Sequence, residues 1–323
     1  MTLALQDWRE LPAARILPLL SQEQRRWRDT LGWDLSHAWA PVEPARLAGA
    51  LPGFVAREDD GRIYGWTFFG MHHHMLQVAA LLAETAGVTA ALVDGIMRQA
   101  SAAGAASVLA FTFEQAPGLG EAFRAHGCAT ERYAYLSAAP LAGAYPDDDA
   151  VTMRPWATGD LDPFIELCAG AYAGSTYLRP FAPGGSMPEW REYAAQLVEQ
   201  SGCGTLLPEA SVMAIDRASG SVIGAVLSTR LDPSTVHLAQ VVVSPEARRR
   251  HLGLRLVERA RAAARADVFG RVTLLVADSN VAATRLYARL GFHETAAFLA
   301  ASSAYPRRST SEAVETGGDS TLR

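Results

Sequence analysis

Three consecutive arginines, Arg248, Arg249 and Arg250, lie in a short segment, residues 243–253, that reads VSPEARRRHLG. An apolar run typical of a buried strand precedes the segment, and apolar residues recur at helical spacing after it. The first turn of a helix presents backbone N–H groups and the positive end of the helix dipole. Because the arginines add positive charge there, we predict an anion site that suits a pyrophosphate. The alternative is a solvated surface run of arginines.

A second candidate segment, residues 280–292, reads NVAATRLYARLGF. Asn280 is one of the best N-cap residue types and good helix formers follow it, so we predict a helix that begins directly after Asn280. Tyr287 lies on this helix. Its hydroxyl can donate a hydrogen bond to a leaving group. The alternative is a half-buried tyrosine that only anchors the helix.

Taken together, the two segments resemble a known family. The pattern V-x-P-x-x-R-x-x-x-x-G, followed about thirty residues later by N-x-x-A-x-x-L-Y-x-x-x-G-F, is similar to the acetyl-CoA-binding core of the GNAT superfamily. Residues 151–155 and 159–161 are similar to the opening strand and helix of that family. The resemblance extends from residue 151 to about residue 302. One position departs from it, because His251 stands where the family pattern usually has glycine.

The resemblance implies that acetyl-CoA, or another short acyl-CoA, is the cofactor. The segment at 243–253 forms a basic loop, and the strand before it would splay from its neighbour. The pantetheine arm would then bond to the backbone of Val241 and Val243 like an added strand. The side chain of His251 would crowd the loop and alter its backbone slightly. The implied cofactor contacts come from Val241, Val242, Val243, Arg248, Arg249, Arg250, His251, Leu252, Gly253, Leu254, Asn280, Ala283 and Tyr287.

The same resemblance implies an N-acyltransferase in which the amine of a small molecule attacks the acyl-CoA thioester directly. Tyr287 would hold or protonate the departing thiolate. Many family members have an acidic residue where this chain has Gln240, which cannot accept a proton. His237 on the same strand is a candidate base, and Asp278, Glu166 or a water chain are alternatives. A missing base also favours a different class of protein, a non-catalytic acyl-CoA sensor.

Composition excludes several other functions. With 29 basic and 34 acidic residues, the net charge of −5 gives no basic face for nucleic acid. No long apolar run predicts a membrane span, so we expect no membrane partner. The three cysteines are far apart in sequence, which indicates neither a zinc site nor a disulfide framework. We expect a cytoplasmic protein that acts on a small-molecule amine. A homodimer is a possible assembly.

The two halves of the chain repeat one another, which is the signature of an internal duplication. GRIYG at 61–65 matches GSVIG at 220–224. Further along, a constant offset of 164 aligns three elements without a gap. These are the strand at 76–79 with that at 240–243, the helix opening at Val88 with that at Leu252, and the strand at 108–112 with that at 272–276.

The repeat predicts an α/β fold of the α+β type, with two tandem GNAT-like domains, each a mixed, mostly antiparallel sheet flanked by helices. Pro, Gly and Asp cluster between the two copies, as in a linker. The predicted organisation is a degenerate domain at 1–139, a linker at 140–150, a catalytic domain at 151–302 and a flexible tail at 303–323.

The first copy has lost the residues that carry the chemistry. Glu84, Ala116 and Phe123 align with Arg248, Asn280 and Tyr287, although Gly87 stands opposite His251. A carboxylate repels phosphate and phenylalanine donates no hydrogen bond, so we expect this copy to shape the acceptor pocket or the assembly.

Two further groups of residues raise the question of a functional role. His72, His73 and His74 have no acidic or thiol partner nearby in sequence, so we predict no metal site. An aromatic set either lines an acceptor pocket or covers the sheet: Tyr172, Tyr177, Trp190 and Tyr193.

Overall fold

A computed structural model describes residues 3–59, 61–72, 74–141, 149–174, 182, 184–199, 203–266 and 269–304. The first half contains six strands: β1 (Ala4–Asp7), β2 (Gly53–Arg57), β3 (Ile63–His72), β4 (Met75–Ala83), β5 (Ser107–Phe113) and β6 (Ala129–Ala138). Its helices are α1 (Ala13–Leu31), α2 (Val42–Leu47), α3 (Ala86–Ala102) and α4 (Leu119–Ala125). Strand, turn, helix and strand follow one another from β4 to β5, as the repeat predicts.

The second half repeats this order. Its strands are β7 (Val151–Pro155), β8 (Thr205–Leu206), β9 (Val212–Asp216), β10 (Val222–Asp232), β11 (Thr235–Val243), β12 (Arg271–Ala277) and β13 (His293–Ala304). Its helices are α5 (Leu161–Tyr172), α6 (Met187–Val198), α7 (Leu252–Ala266) and α8 (Val281–Arg289). None of the helices in the described part of the chain combines the length and the apolar character that a bilayer crossing requires.

The described strands form one sheet in the order β1-β2-β3-β4-β5-β13-β6-β12-β11-β10-β9-β7, with β8 beside β10. The pairs β4–β5 and β11–β12 are parallel. The other pairs are antiparallel, so the sheet is mixed and mostly antiparallel. Helices flank this sheet, and the predicted fold class is confirmed.

The last strand of each half pairs with strands of the other half. β13 pairs with β5 on one side and with β6 on the other, so that Ala301 lies opposite both Ala110 and Thr130. β6 in turn pairs with β12, where Leu136 lies opposite Leu274. This exchange joins the two halves into one continuous sheet, and no pattern in the sequence predicts it.

The duplication holds in three dimensions with one correction. A Cβ atom on Gly65 would collide with Val88, and one on Gly224 would crowd Leu252, so both glycines let their sheet approach the following helix closely. Val88 and Leu252 therefore occupy equivalent places, as the offset of 164 predicts.

The gapless match is wrong for the strand before the helix. Leu76 pairs with Val108, and Val236 pairs with Val272. Val272 lies 164 residues after Val108, but Val236 lies only 160 residues after Leu76. The equivalent of Leu76 is therefore Val236, not Gln240. The second half therefore has four more residues than the first between this strand and the following helix. The basic loop lies in that longer connection.

Several predicted segments fall outside the described residues. These are the middle of the predicted linker (142–148), the tail from residue 305 onward, Tyr177 and His73. His72 ends β3 and contacts the carboxylate of Glu192 on α6.

Candidate active site

The cleft opens where β11 and β12 separate. Their parallel pairing covers only Thr235 to Leu238 against Arg271 to Leu274. Both strands continue beyond it, β11 to Val243 and β12 to Ala277. On its other side β11 stays paired with β10 as far as Val243. The end of β11 thus offers a free strand edge toward β12, which is the geometry that binding of an extended arm by strand addition requires.

The basic loop connects this strand edge to α7. A short 3-10 turn occupies Pro245–Ala247, and the chain then takes left-handed backbone conformations at Arg249 (φ 63°) and His251 (φ 57°). Glycine favours that region, which explains why the family pattern usually has glycine at position 251. His251 adopts this left-handed conformation at some energetic cost.

Backbone N–H groups line this loop and the first turn of α7. The first backbone hydrogen bond of the helix runs from the N–H of Arg255 to the carbonyl of His251. Within the described ranges, none of the N–H groups from Arg249 to Leu254 donates a well-formed backbone hydrogen bond. Free N–H groups at the positive end of a helix, beside exposed guanidinium groups, form a cradle that fits a pyrophosphate.

The three arginines differ in their surroundings. Arg248 donates from Nη2 to the carbonyl of Ala171 at 2.7 Å and from Nε to the carbonyl of Val243 at 3.4 Å. It therefore ties the loop to the end of α5. Arg249 and Arg250 are exposed, and Arg250 lies within electrostatic range of Asp216. Arg249 and Arg250 are better placed than Arg248 to meet a phosphate.

The apolar residues predicted to contact the cofactor have side chains that pack within the protein. The side chains of Leu252 and Val242 are buried, on opposite faces of the sheet. Val241, Val243 and Ala283 are partly buried and pack on the side of α7, and Leu254 is partly buried as well. A Cβ atom on Gly253 would lie 3.4 Å from the Leu286 side chain, which is ordinary van der Waals contact.

Asn280 caps α8 as predicted. Its Oδ1 accepts a hydrogen bond from the N–H of Ala283 at 3.2 Å. Tyr287 lies on the same helix with 5% of its surface exposed, and its ring packs edge-to-face on Phe292. Burial, with a smaller contribution from Tyr172, raises the pKa of Tyr287 well above its usual value. The Tyr287 hydroxyl therefore stays protonated and can act as a hydrogen-bond donor.

A cavity of about 140 Å³ lies between the separated strands, α5, α6 and α8. Asn280, Ala283 and Tyr287 line it beside the strand edge. Four further aromatic side chains line it: Tyr133 from β6, Tyr172 from α5, and Trp190 and Tyr193 from α6. Tyr172, Trp190 and Tyr193 line this cavity and also pack in the core on this face of the sheet.

A local capping motif positions α6. The Ser186 hydroxyl accepts from the N–H of Glu189, and the Glu189 carboxylate accepts from the N–H of Ser186. Trp190 and Tyr193 follow on the buried face of this helix.

Gln240 is fixed at the centre of the cavity wall. Its Nε2 donates to the Tyr172 hydroxyl at 2.8 Å, and its Oε1 accepts from the Tyr193 hydroxyl at 2.9 Å. Only 9% of the residue is exposed. These bonds hold a neutral amide where many family members have an acid, so Gln240 orients its neighbours and does not accept a proton.

His237 also lines the cavity, but its surroundings disfavour a proton. Its Nδ1 lies 3.0 Å from the Thr273 hydroxyl. Trp33 contacts the ring edge-on, and Tyr135 stacks on it. Burial lowers the pKa of His237 to about 3, so the imidazole is neutral and only weakly basic at pH 7. The prediction of His237 as general base is therefore not supported by its environment.

The two carboxylates offered as alternative bases lie elsewhere. Asp278 accepts a hydrogen bond of 2.9 Å from Arg132, which also pairs with Glu114 and Glu294. Glu166 is exposed on α5 and lines a separate hollow beside the basic loop. Neither residue is among those that line the aromatic cavity.

Sequence reasoning missed Tyr133. It belongs to the first half, where it lies opposite Ala277 at the end of β12 because of the strand exchange. No sequence motif surrounds Tyr133. Its place in the site could be predicted only if the pairing of β6 with β12 were known.

Comparison with known proteins agrees with this geometry. Residues 176–292 match the acetyltransferase (GNAT) family. The GNAT resemblance of the two motifs is thereby confirmed for this segment. A search of curated proteins found no match to the chain.

Solved structures of this family share the fold of the described chain. A GCN5-related N-acetyltransferase from Sphaerobacter thermophilus has 17% identity and a TM-score of 0.56, and the match covers 78% of this chain and 80% of that one. A tandem GNAT protein from the clavulanic acid biosynthesis pathway has 19% identity and a TM-score of 0.53 over 79% and 83% of the two chains. A glucosamine N-acetyltransferase region of a fungal multi-domain β-N-acetylglucosaminidase has 15% identity and a TM-score of 0.59, over 94% of this chain and 38% of that one.

The corresponding place in the first half is built differently. β4 ends at Ala83 and α3 begins at Ala86, so there is no room for a basic loop. The Thr85 hydroxyl accepts from the N–H of Val88, and Glu84 pairs with Arg62. Phe123 is fully buried. The N-terminus of α3 is thus capped by the Thr85 side chain.

Proposed function

We propose that the protein is an acyl-CoA-dependent N-acyltransferase that transfers acetyl from acetyl-CoA to the amine of a small molecule. The observation that carries this proposal is the opening between β11 and β12 after Leu238 and Leu274. β11 leads from the cavity that Tyr287 lines to the basic loop. A phosphate cradle, a strand edge and a buried acid thus follow one another in the order of pyrophosphate, pantetheine and thioester.

Each part of the site has a defined task in this reaction. Acetyl-CoA, when bound, supplies the thioester that the amine attacks. The N–H groups from Arg249 to Leu254, with the guanidinium groups of Arg249 and Arg250, hold the pyrophosphate. The edge of β11 at Val241 and Val243 holds the pantetheine arm by backbone hydrogen bonds.

Tyr287 donates a hydrogen bond to the sulfur on which negative charge develops as the C–S bond breaks. The amine approaches from the side of α5 and α6, where Tyr172, Trp190 and Tyr193 line the cavity. Burial excludes water from the reacting atoms and strengthens this hydrogen bond.

Calorimetric titration of the full chain with acetyl-CoA tests the cofactor assignment, and we expect one site per chain. Arg249→Glu should weaken the affinity at least tenfold, because it reverses a charge at the cradle. The matched control Arg124→Glu, on α4 of the first half, should leave it unchanged. Two equivalent sites per chain, or equal affinity of both variants, would exclude the assignment.

The second candidate, an acyl-CoA sensor, is favoured by the neutral Gln240 held between two hydroxyls. Release of free thiol from acetyl-CoA, measured over a broad panel of amines, separates the two functions. Tight binding of acetyl-CoA without thiol release from any amine would establish the sensor.

A further inference from the structure

The polar groups that line the aromatic cavity are all neutral at pH 7. Among the described residues they are the Gln240 and Asn280 amides, the His237 imidazole, the Cys203 thiol, the Trp190 indole and four phenols. Burial keeps the phenol of Tyr287 and the thiol of Cys203 protonated by raising the pKa of each, and keeps His237 unprotonated by lowering its pKa. A protonated amine would therefore enter an environment that disfavours its charge.

Flat aromatic walls dominate the acceptor side of this cavity. Tyr172 and Trp190 are stacked at 5.2 Å between ring centroids with an interplanar angle of 29°. Trp190 and Tyr193 meet edge-to-face at 5.9 Å. Planar groups bind well between aromatic rings in offset or edge-to-face arrangements. Aromatic side chains of this kind can pack against the ring of a planar acceptor.

Trp190, which lines this cavity, carries a buried hydrogen-bond donor on its indole ring. Only 3% of the residue is exposed, and its Nε1 has no acceptor among the described residues. Buried indole N–H groups usually find a partner, because leaving one unpaired loses its hydrogen bond to water. A bound acceptor molecule with an oxygen at the far end of its ring can supply that partner.

We propose that the acceptor is a primary aromatic amine, uncharged at neutral pH, that carries a hydrogen-bond-accepting substituent on its ring. This inference rests on the proposed function. The amine nitrogen forms a bond to the thioester carbonyl carbon, the C–S bond breaks, and one proton leaves the nitrogen and ends on the sulfur of free CoA. No base is needed to deprotonate the incoming amine, which agrees with Gln240 at the position of the missing acid.

Two amines that differ in charge test the proposal. With acetyl-CoA and the full chain at pH 7, 4-methoxyaniline should react at least about 100-fold faster in kcat/KM than 4-methoxybenzylamine, because nearly all of the benzylamine is protonated. Between pH 6 and 9 the rate with 4-methoxyaniline should stay flat. The rate with 4-methoxybenzylamine should rise about tenfold per pH unit. Thiol release and product mass provide the measurements.

The role of Trp190 is tested by a matched pair of substrates. Wild-type protein should prefer 4-methoxyaniline over 4-ethylaniline, which has the same shape without the oxygen, by roughly tenfold, the value of one hydrogen bond. Trp190→Phe should remove this preference. Because the variant could lose its fold, its acetyl-CoA affinity is measured in parallel and should match that of wild type.

The outcomes distinguish a failure of the proposed substrate class from a failure of the proposed acyltransferase function. Preference for 4-methoxybenzylamine at pH 7 would overturn it and would indicate an aromatic cage for a cation. Acetylation of aliphatic amines alone would overturn the substrate class and leave the acyltransferase function intact. Absence of acetyl-CoA binding would refute the proposed function itself.

Discussion

The side-chain amide of Gln240 donates a hydrogen bond of 2.8 Å to the hydroxyl of Tyr172 and accepts one of 2.9 Å from the hydroxyl of Tyr193. One neutral side chain on β11 thus connects α5 with α6 across the cavity. This arrangement fixes both helices around the cavity and places a neutral amide in its wall.

Replacing Gln240 by leucine should lower the free energy of unfolding by about 1–3 kcal/mol, because two buried hydroxyls lose their amide partner. Urea unfolding measures this change. Gln77→Leu, at an exposed position of β4, is the matched control and should change stability by less than about 0.5 kcal/mol. Equal effects of the two substitutions would show that the hydrogen bonds contribute nothing.

Replacing Tyr287 by phenylalanine should reduce kcat at least about 100-fold, because the departing sulfur loses its hydrogen-bond donor. The dissociation constant of acetyl-CoA should stay within about threefold, since the ring still packs on Phe292. Thiol release and calorimetry give the two values. Tyr64→Phe on β3, outside the cavity, should behave as wild type. Unchanged turnover in the Tyr287 variant would remove this residue from the mechanism.

His237 should make stability depend on pH in the acid range. Its pKa is about 3 in the folded chain and about 6.5 when unfolded. Between these values the unfolded chain binds the extra proton, so stability falls as the pH falls. We expect a loss of about 2 kcal/mol between pH 7 and pH 5 from this residue.

Urea unfolding at both pH values checks the His237 contribution. His237→Gln should show a smaller loss than wild type by about that amount, whereas His37→Gln at an exposed position should retain the wild-type difference. If the curves of wild type and His237→Gln ran parallel, the folded imidazole would have to be protonated as easily as the unfolded one.

Arg132 should hold the two halves together through its three carboxylate partners, Glu114, Asp278 and Glu294. Its pKa lies above the usual range, mainly because of the hydrogen bond to Glu294. Arg132→Leu leaves three carboxylates close together, and we expect a loss of about 2 kcal/mol, moderated by partial exposure. Arg124→Leu, whose pairs are more exposed, should cost less than about 0.5 kcal/mol in urea unfolding.

His251→Gly should raise the free energy of unfolding slightly, by up to about 1 kcal/mol, since glycine adopts φ near 57° without strain. His251→Val should lower it by more than about 1 kcal/mol, because a β-branched residue tolerates this region least. Thermal unfolding of the two variants provides the comparison. A destabilised glycine variant would indicate that the imidazole itself makes a stabilising contact.

The sequence alone determined the fold class, the equivalence of Val88 and Leu252, and the positions of the basic loop and of Tyr287. These features depend on local spacing: apolar periodicity, an N-cap at Asn280 and a basic run before Leu252 lie within a few residues of one another. The cap and the helix start are found where the motif predicts them. The domain boundaries, the cofactor contacts and a homodimer stay predictions.

Only the tertiary structure decided which side chains meet in the cavity. Tyr133 reaches it through the exchange of β6 and β13, and Gln240 and His237 acquire their roles from partners 36 to 68 positions away. Burial then sets the chemistry, because the pKa of His237 falls when its ring is desolvated by Trp33 and Tyr135. A sequence pattern fixes residue types and spacing, but desolvation depends on which distant strands and helices pack together.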